Sequence, residues 1–323
     1  MMDSSDQEKW IPLELTREES PDARKLKWIM RENWSFKEPF LMDSVLKNAK
    51  NGKTKITEID ELLKYFQAPS ALDPAGFIFH LSRCGSTTVS QMLAKDPQNL
   101  MLSEPGAAEA VLGLKESVSK KLALFVSAIN AFSASRIPPE RRIFVKFSGS
   151  DAWLKWMKLA YPKTPWIFIY REPAEVLRSN LRSPAKWVQR MPVEARKDAL
   201  LQKFELQMKI ALENSDNAAL LLNYRDIDLS FPEKLLQAFG LETEPSVVQS
   251  MKDSLQWYSK REGVRWEDWQ KTESQRRLEN PSLPHQNSLD LEEACAHIPN
   301  EIMQLYAGLE IKRLGLQQSN TKM

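Results

Sequence analysis

Gly76-Phe-Ile-Phe-His-Leu-Ser-Arg-Cys-Gly-Ser-Thr-Thr-Val-Ser-Gln-Met-Leu93 is the stretch on which the reading of the chain turns. Phe77 to Leu81 is a short hydrophobic run, which predicts a buried strand. Ser82, Arg83, Cys84 and Gly85 then turn the chain. From Ser86 onward the spacing is helical, with Val89, Met92 and Leu93 on one face. A strand that turns sharply into a helix through small residues points free backbone N–H groups into one cavity, which suits a phosphate or sulfate group. Arg83 adds a fixed positive fork, and Ser86, Thr87 and Thr88 place hydroxyls at the helix start. The bland alternative is a tight turn in an α/β core.

Working outward, 323 residues suffice for one large α/β domain with additions, or two smaller ones. The chain is 42% hydrophobic and 27% charged with a net charge of +2, which argues against nucleic-acid binding by bulk charge. The two cysteines, Cys84 and Cys295, give no disulfide framework, so a reducing, cytoplasmic location is expected. No apolar run approaches the roughly 18 residues of a membrane span, and the polar, acidic start does not read as a signal peptide. His80, His285 and His297 are the only histidines, and no spacing of Cys, His and carboxylates suggests a metal site. The ten tryptophans fit core packing, or in part the lining of a substrate pocket.

The phosphate loop G-x-x-x-x-G-K-[ST] is not present, because Ser86 stands where its lysine would be. Arg83-Cys84-Gly85-Ser86-Thr87-Thr88 instead resembles the 5′-phosphosulfate loop of the sulfotransferase superfamily, with Arg83 in place of the commoner lysine. A second block follows at Pro165-Trp-Ile-Phe-Ile-Tyr-Arg-Glu-Pro-Ala-Glu-Val-Leu-Arg-Ser-Asn-Leu181. Residues 166–170 read as a buried strand and Pro173 as the first turn of a helix. Arg171 leaves the strand end, and Ser179 lies about two turns along the helix. This block is similar to the family's 3′-phosphate segment, in which an arginine and a serine at this spacing grip the phosphate. Glu172 replaces the usual aspartate. The resemblance covers about residues 76–240. It implies a P-loop-type, three-layer αβα fold with a central, mainly parallel sheet, and use of 3′-phosphoadenosine-5′-phosphosulfate (PAPS) without a required metal.

In chain order, residues 1–70 are expected to be a helical lead-in packed on the core, and 71–323 the sulfotransferase-like domain with a C-terminal helical extension. Leu26, Trp28, Ile29 and Trp34 are placed in one helix of the lead-in, and 56–66 in another. Residues 100–102 predict a short strand that ends at Glu104, at the sheet edge where ligands collect. Glu104 is therefore the candidate general base, in keeping with a glutamate that several family branches use here. The alternative is that Glu104 caps the helix beginning at Pro105. Strand 142–147 contains Lys146. A lysine so placed contacts the substrate or the transferring sulfuryl group, or snorkels from a sheet edge. A further strand is expected at 218–226, and helices at 109–114, 117–132, 152–159, 194–214, 231–240 and 291–314.

His80 is an alternative base, though its apolar strand suits a structural histidine. Cys84 suits packing at the turn better than nucleophilic chemistry. By analogy with the basic loop that many members close over the nucleotide, Lys260, Arg261 or Arg265 contacts the cofactor. The acceptor implied is a small molecule offering a hydroxyl or an amine, with no nucleic-acid or membrane partner. Two alternatives share the pocket: an ATP- and magnesium-dependent small-molecule kinase, and a nucleotide-binding protein without turnover.

Overall fold

The computed structural model describes residues 9–16, 24–49, 52–148, 153–182, 184, 188–216, 219–257, 265, 268 and 297–320. They form a three-layer α/β structure around a mainly parallel sheet, the class expected from the sequence. The chain divides into two compact units. Residues up to Ile78, Leu93–Ser148 and Lys155–Thr164 make the first, and Phe79–Met92 with the residues from Pro165 onward make most of the second.

The first unit opens with three strands, β1 (Trp10–Leu15), β2 (Leu26–Met30) and β3 (Thr54–Thr57), in an antiparallel sheet ordered β1-β2-β3. The helix expected over Leu26, Trp28, Ile29 and Trp34 is therefore corrected: the first three lie in a strand and Trp34 follows it in irregular chain. A five-residue apolar run has no period long enough to separate the two. Here cross-strand partners decide: Leu26 faces Thr57 across the ladder, the Trp28 indole N–H donates to Thr57 Oγ1 at 2.9 Å, and Lys27 reaches Glu14. Pro12 is accommodated where the β1–β2 register shifts, since an irregularity spares the missing N–H. Between β2 and β3 lies α1 (Leu41–Asn48), and after β3 a 3₁₀ helix (Ile59–Tyr65) buries Leu62.

The unit continues with β4 (Gly76–His80), whose last two residues belong to the second unit, then β5 (Asn99–Ser103), α3 (Gly106–Val111), α4 (Val118–Ala134) and β6 (Arg142–Lys146). Parallel ladders join β4 to β6 and β5 to β6. Every residue of β4 and β5 is buried, as expected for strands covered on both faces. Phe77 stacks on Phe147, and Phe125 and Tyr161 close around them. Arg31 and Glu140 form a buried ion pair at 2.6 Å, completed by Arg31 hydrogen bonds to the Trp34 and Ser135 carbonyls. Breaking such a pair on one side costs about 3–5 kcal/mol.

The second unit contains α2 (Ser86–Leu93), β7 (Trp166–Tyr170), α6 (Pro173–Arg182), α7 (Val193–Asn214), β8 (Ala219–Asn223), α8 (Phe231–Ala238), α9 (Pro245–Ser254) and α10 (Asn300–Asn320); α5 (Trp153–Ala160) is shared by the two units. β7 and β8 run parallel with Tyr170 opposite Asn223, and the five-stranded order is β5-β6-β4-β7-β8. α10 packs against β8, α6 and α7, burying Ile302 and Leu309. Among the described residues no helix is long and apolar enough to cross a membrane.

Candidate functional site

In the second unit, β4 ends at His80 and the chain turns through Ser82–Gly85 into α2. Two residues of the turn are left-handed: Arg83 at φ 59° and Gly85 at φ 85°. Glycine takes this region without penalty, whereas a non-glycine residue pays about 1–2 kcal/mol. A second constraint acts on Gly85: a Cβ there would lie 2.8 Å from Tyr224 Cδ2 and 2.9 Å from Ile227 Cδ1. The turn is tied down on several sides. The Leu81 N–H donates to the Ile169 carbonyl at 2.9 Å, and Ser82 Oγ donates to Asn180 Oδ1 at 3.1 Å. The Cys84 thiol is buried and donates to the Leu81 carbonyl at 2.8 Å, which fits the packing role expected of it. Val89 N–H to Gly85 O closes the first turn of α2, and Ser86 and Thr87 are buried at its start.

Arg171 follows β7 directly. Its guanidinium lies 4.5 Å from the Tyr224 ring centroid, and its Nε donates to Glu175 Oε2 at 2.6 Å. Glu172 accepts from the Glu175 N–H at 2.9 Å and so closes the start of α6. Tyr224 therefore touches both sequence blocks: Gly85 packs against one part of its ring, and Arg171 stacks over it. Thr88 and Ser179 are half-buried on α2 and α6. His80 is buried, and its Nδ1 lies 2.8 Å from the Leu81 carbonyl; a carbonyl only accepts, so Nδ1 carries the hydrogen. Arg265 is exposed and lies 5.7 Å from the Trp257 ring, bridged to that residue's backbone. Lys260 and Arg261 lie outside the described residues.

The first unit holds a different cluster. Glu104 follows β5 in the left-handed region at φ 58°, pinned by its N–H donating to the Lys146 carbonyl at 2.7 Å. Its carboxylate lies 3.4 Å from Lys146 Nζ. The helix begins at Gly106, with Pro105 as its N-cap and no side-chain cap bond, so Glu104 pairs with Lys146 instead of capping. Lys146 is completely buried on a strand with neighbours on both sides, which overturns snorkelling from an edge. Its ammonium also sits 4.7 Å from the Phe40 ring, a cation–π contact from the N-cap residue of α1. A carboxylate and a ring face beside a buried lysine offset part of the cost of burying its charge.

Beside this pair stands Glu109 on α3, which the sequence reading missed. It accepts from Ser148 N and Ser148 Oγ, each at 2.6 Å. Burial pushes its carboxyl up to about 7, with Glu104 adding to the rise; the Ser148 bonds and Lys146 pull the other way. The available signal was one acid in the run Gly-Ala-Ala-Glu-Ala-Val, five residues beyond Glu104. Tyr224 had a signal too: an aromatic residue directly after a strand, at the end where ligands collect in such sheets. Among the described residues no three His, Cys, Asp or Glu side chains gather as a metal site would require.

No protein-family model and no curated protein matches this sequence. Among solved structures, the chain is similar to a sulfotransferase from Mycobacterium avium, at 10% identity and a TM-score of 0.44 over 68% of this chain and 80% of that one. It is also similar to the sulfotransferase domain from the curacin biosynthetic pathway, at 14% identity and a TM-score of 0.45 over 75% and 99% of the two chains. A mouse sulfotransferase complexed with PAP matches at 13% identity and a TM-score of 0.37, over 73% of this chain and 93% of that one.

Proposed function

We propose that this chain is a sulfotransferase that moves the sulfuryl group of PAPS to a hydroxyl or amine of a small-molecule acceptor. The observation that carries the reading is Tyr224, which packs against Gly85 of the turn and stacks under Arg171, so that two anion-binding elements share one ring. The donor set fits the group. Backbone N–H groups at the start of α2, the hydroxyls of Ser86, Thr87 and Thr88, and the guanidinium groups of Arg83 and Arg171 all donate, as phosphate oxygens require.

When bound, PAPS supplies a sulfuryl group carried on a phosphate leaving group. Arg83, Cys84, Gly85, Ser86, Thr87 and Thr88 hold the 5′-phosphosulfate, and Arg171 and Ser179 hold the 3′-phosphate. Fixed donors of this kind stabilise developing negative charge without reorganising. Glu104 takes the proton of the acceptor hydroxyl or amine, and Lys146, paired to it, fixes its orientation. His80 donates Nδ1–H to the backbone and is assigned to the support of the turn. By the same family analogy, Lys260, Arg261 or Arg265 is assigned to the nucleotide from the late basic segment.

Calorimetric titration with 3′-phosphoadenosine-5′-phosphate (PAP), beside ATP with magnesium, tests this on wild type and Arg171→Ala. The expected result is a PAP Kd on the order of micromolar, or about −8 kcal/mol, with little binding of ATP. Loss of a charged hydrogen bond worth about 1.5–3 kcal/mol lowers the Arg171→Ala affinity about 10–100-fold. Stronger binding of ATP with magnesium, or an unchanged Arg171→Ala, sinks the assignment.

A further inference from the structure

Glu310, on α10 and far along the chain from both sequence blocks, gathers the ends of two strands. Its Oε1 accepts from the Tyr170 hydroxyl at 2.5 Å and from Asn223 Nδ2 at 3.1 Å. Arg225 and Arg313 donate to its Oε2, and Arg313 Nε donates to Oε1 at 3.1 Å. Asn223 Nδ2 also reaches Tyr306 Oη at 3.1 Å, and Arg313 continues to Asp226 at 2.9 Å. Burial alone would raise this carboxyl; the hydrogen bonds from Arg313, Tyr170 and Asn223 outweigh it and hold the group near 2. Glu310 is thus a fixed anion at neutral pH.

What matters is where its partners lie in the chain. Tyr170 is the last residue of β7 and Asn223 the last of β8, and they face each other in the parallel ladder. The next residues are Arg171 and Tyr224, the stacked pair of the anion site. One carboxylate therefore grips both strands one residue before the groups that must stay stacked. A guanidinium held over a ring by a few ångströms loses the contact when either backbone shifts by a comparable distance.

We propose that Glu310 is a positioning residue for the anion site, holding the ends of β7 and β8 so that Arg171 stays stacked on Tyr224. Its effect on nucleotide binding rests on the function proposed above; its effect on the stack does not. The test compares Glu310→Ala and Glu310→Gln with Leu309→Ala, which empties a fully buried position on the same helix and leaves the Glu310 carboxylate in place. The first readout is the Arg171 Nε–H resonance, assigned through Arg171→Lys and displaced by the ring current of Tyr224. In Glu310→Ala this displacement collapses. In Glu310→Gln, which keeps one oxygen for Tyr170 and Asn223, it is partly retained, and in Leu309→Ala it persists despite a lower Tm. The second readout is PAP affinity, expected to fall at least tenfold in Glu310→Ala and to stay within twofold in Leu309→Ala. If Glu310→Ala does not fold, a displacement in Glu310→Gln equal to that of wild type overturns the proposal. An unmoved Arg171 resonance in folded Glu310→Ala does so too, as does a loss no larger than that in Leu309→Ala. Failure of wild type to bind PAP would remove the nucleotide reading while leaving the resonance comparison to decide the positioning role.

Discussion

Around Arg83–Thr88 the backbone carries the geometry: two left-handed residues, a helix start, and a glycine with no room for a methyl group. Around Glu104 and Lys146 the backbone supplies one left-handed residue, Glu104, and the side chains carry the rest, through a buried ammonium, two carboxylates, a serine and a phenylalanine ring. The first arrangement is the one proposed to receive negative charge from outside. The second has already balanced much of its own charge, which suits proton handling better than ion binding. Substitutions in the two regions should therefore fail differently, the first in nucleotide affinity and the second in turnover.

The largest effect is expected at Glu104. Glu104→Gln keeps the shape and a partner for Lys146 but removes the proposed proton acceptor, so kcat should fall about 10²–10⁴-fold. PAP affinity, measured by calorimetry, should remain within about twofold, because Glu104 is assigned to the acceptor's proton and not to the nucleotide phosphates. Equal losses in kcat and PAP affinity would show that the two regions are not separate in function.

Gly85→Ala attacks the other side of the comparison. The new methyl group meets Tyr224 and Ile227 below 3.0 Å, in a backbone region that alanine disfavours. The left-handed penalty of about 1–2 kcal/mol adds to an overpacking cost of about 1–3 kcal/mol. Urea unfolding should register a loss in that combined range, and PAP binding should weaken as the Tyr224 ring is displaced. Gly240 is the control: it is also left-handed, at φ 61°, but has nothing within 4 Å of its Cβ direction. Gly240→Ala should therefore cost only the backbone part and leave PAP affinity intact. Equal effects at the two glycines would mean that the Gly85–Tyr224 contact is unimportant.

These contrasts also explain what could be read from sequence. The turn at Arg83–Thr88 and the strand before Arg171 are local patterns, in which neighbouring residues both make the element and carry the chemistry. Residues 166–170 were legible because a fully buried parallel strand is apolar at every position. Leu26–Met30 was not, because its strand state depends on partners in β1 and β3 that no local period announces. Lys146 was legible as an anomaly inside an apolar run, but its pairing with Glu104 and Phe40 spans distant segments. Glu109 and Glu310 went unread, and Tyr224 was read only as part of a strand, for the same reason: each is ordinary where it stands and acquires its role from a residue far away in the chain.

The smallest effect, and the one specific to the acidic region, is the titration of Glu109. Its carboxyl stands near 7 in the folded protein because burial disfavours the charge, against about 4.3 for an unfolded glutamate. The folded state therefore holds more protons than the unfolded chain between these values. The stability contribution is complete below about pH 4.3 and is lost as pH rises through 7, with a slope of at most about 1.4 kcal/mol per pH unit. Glu109→Gln cannot titrate, and its amide can still bond Ser148, so that component of the slope should vanish while stability at low pH is nearly unchanged. Ser148→Ala should act in the opposite sense, since the lost hydrogen bond had lowered the Glu109 midpoint, and the fall in stability should extend to higher pH. Urea unfolding of wild type and both variants, from pH 5 to 8, reads all three slopes. Parallel profiles for wild type and Glu109→Gln would mean that Glu109 holds no proton in the folded protein. The proposed proton handling would then rest on Glu104 and Lys146.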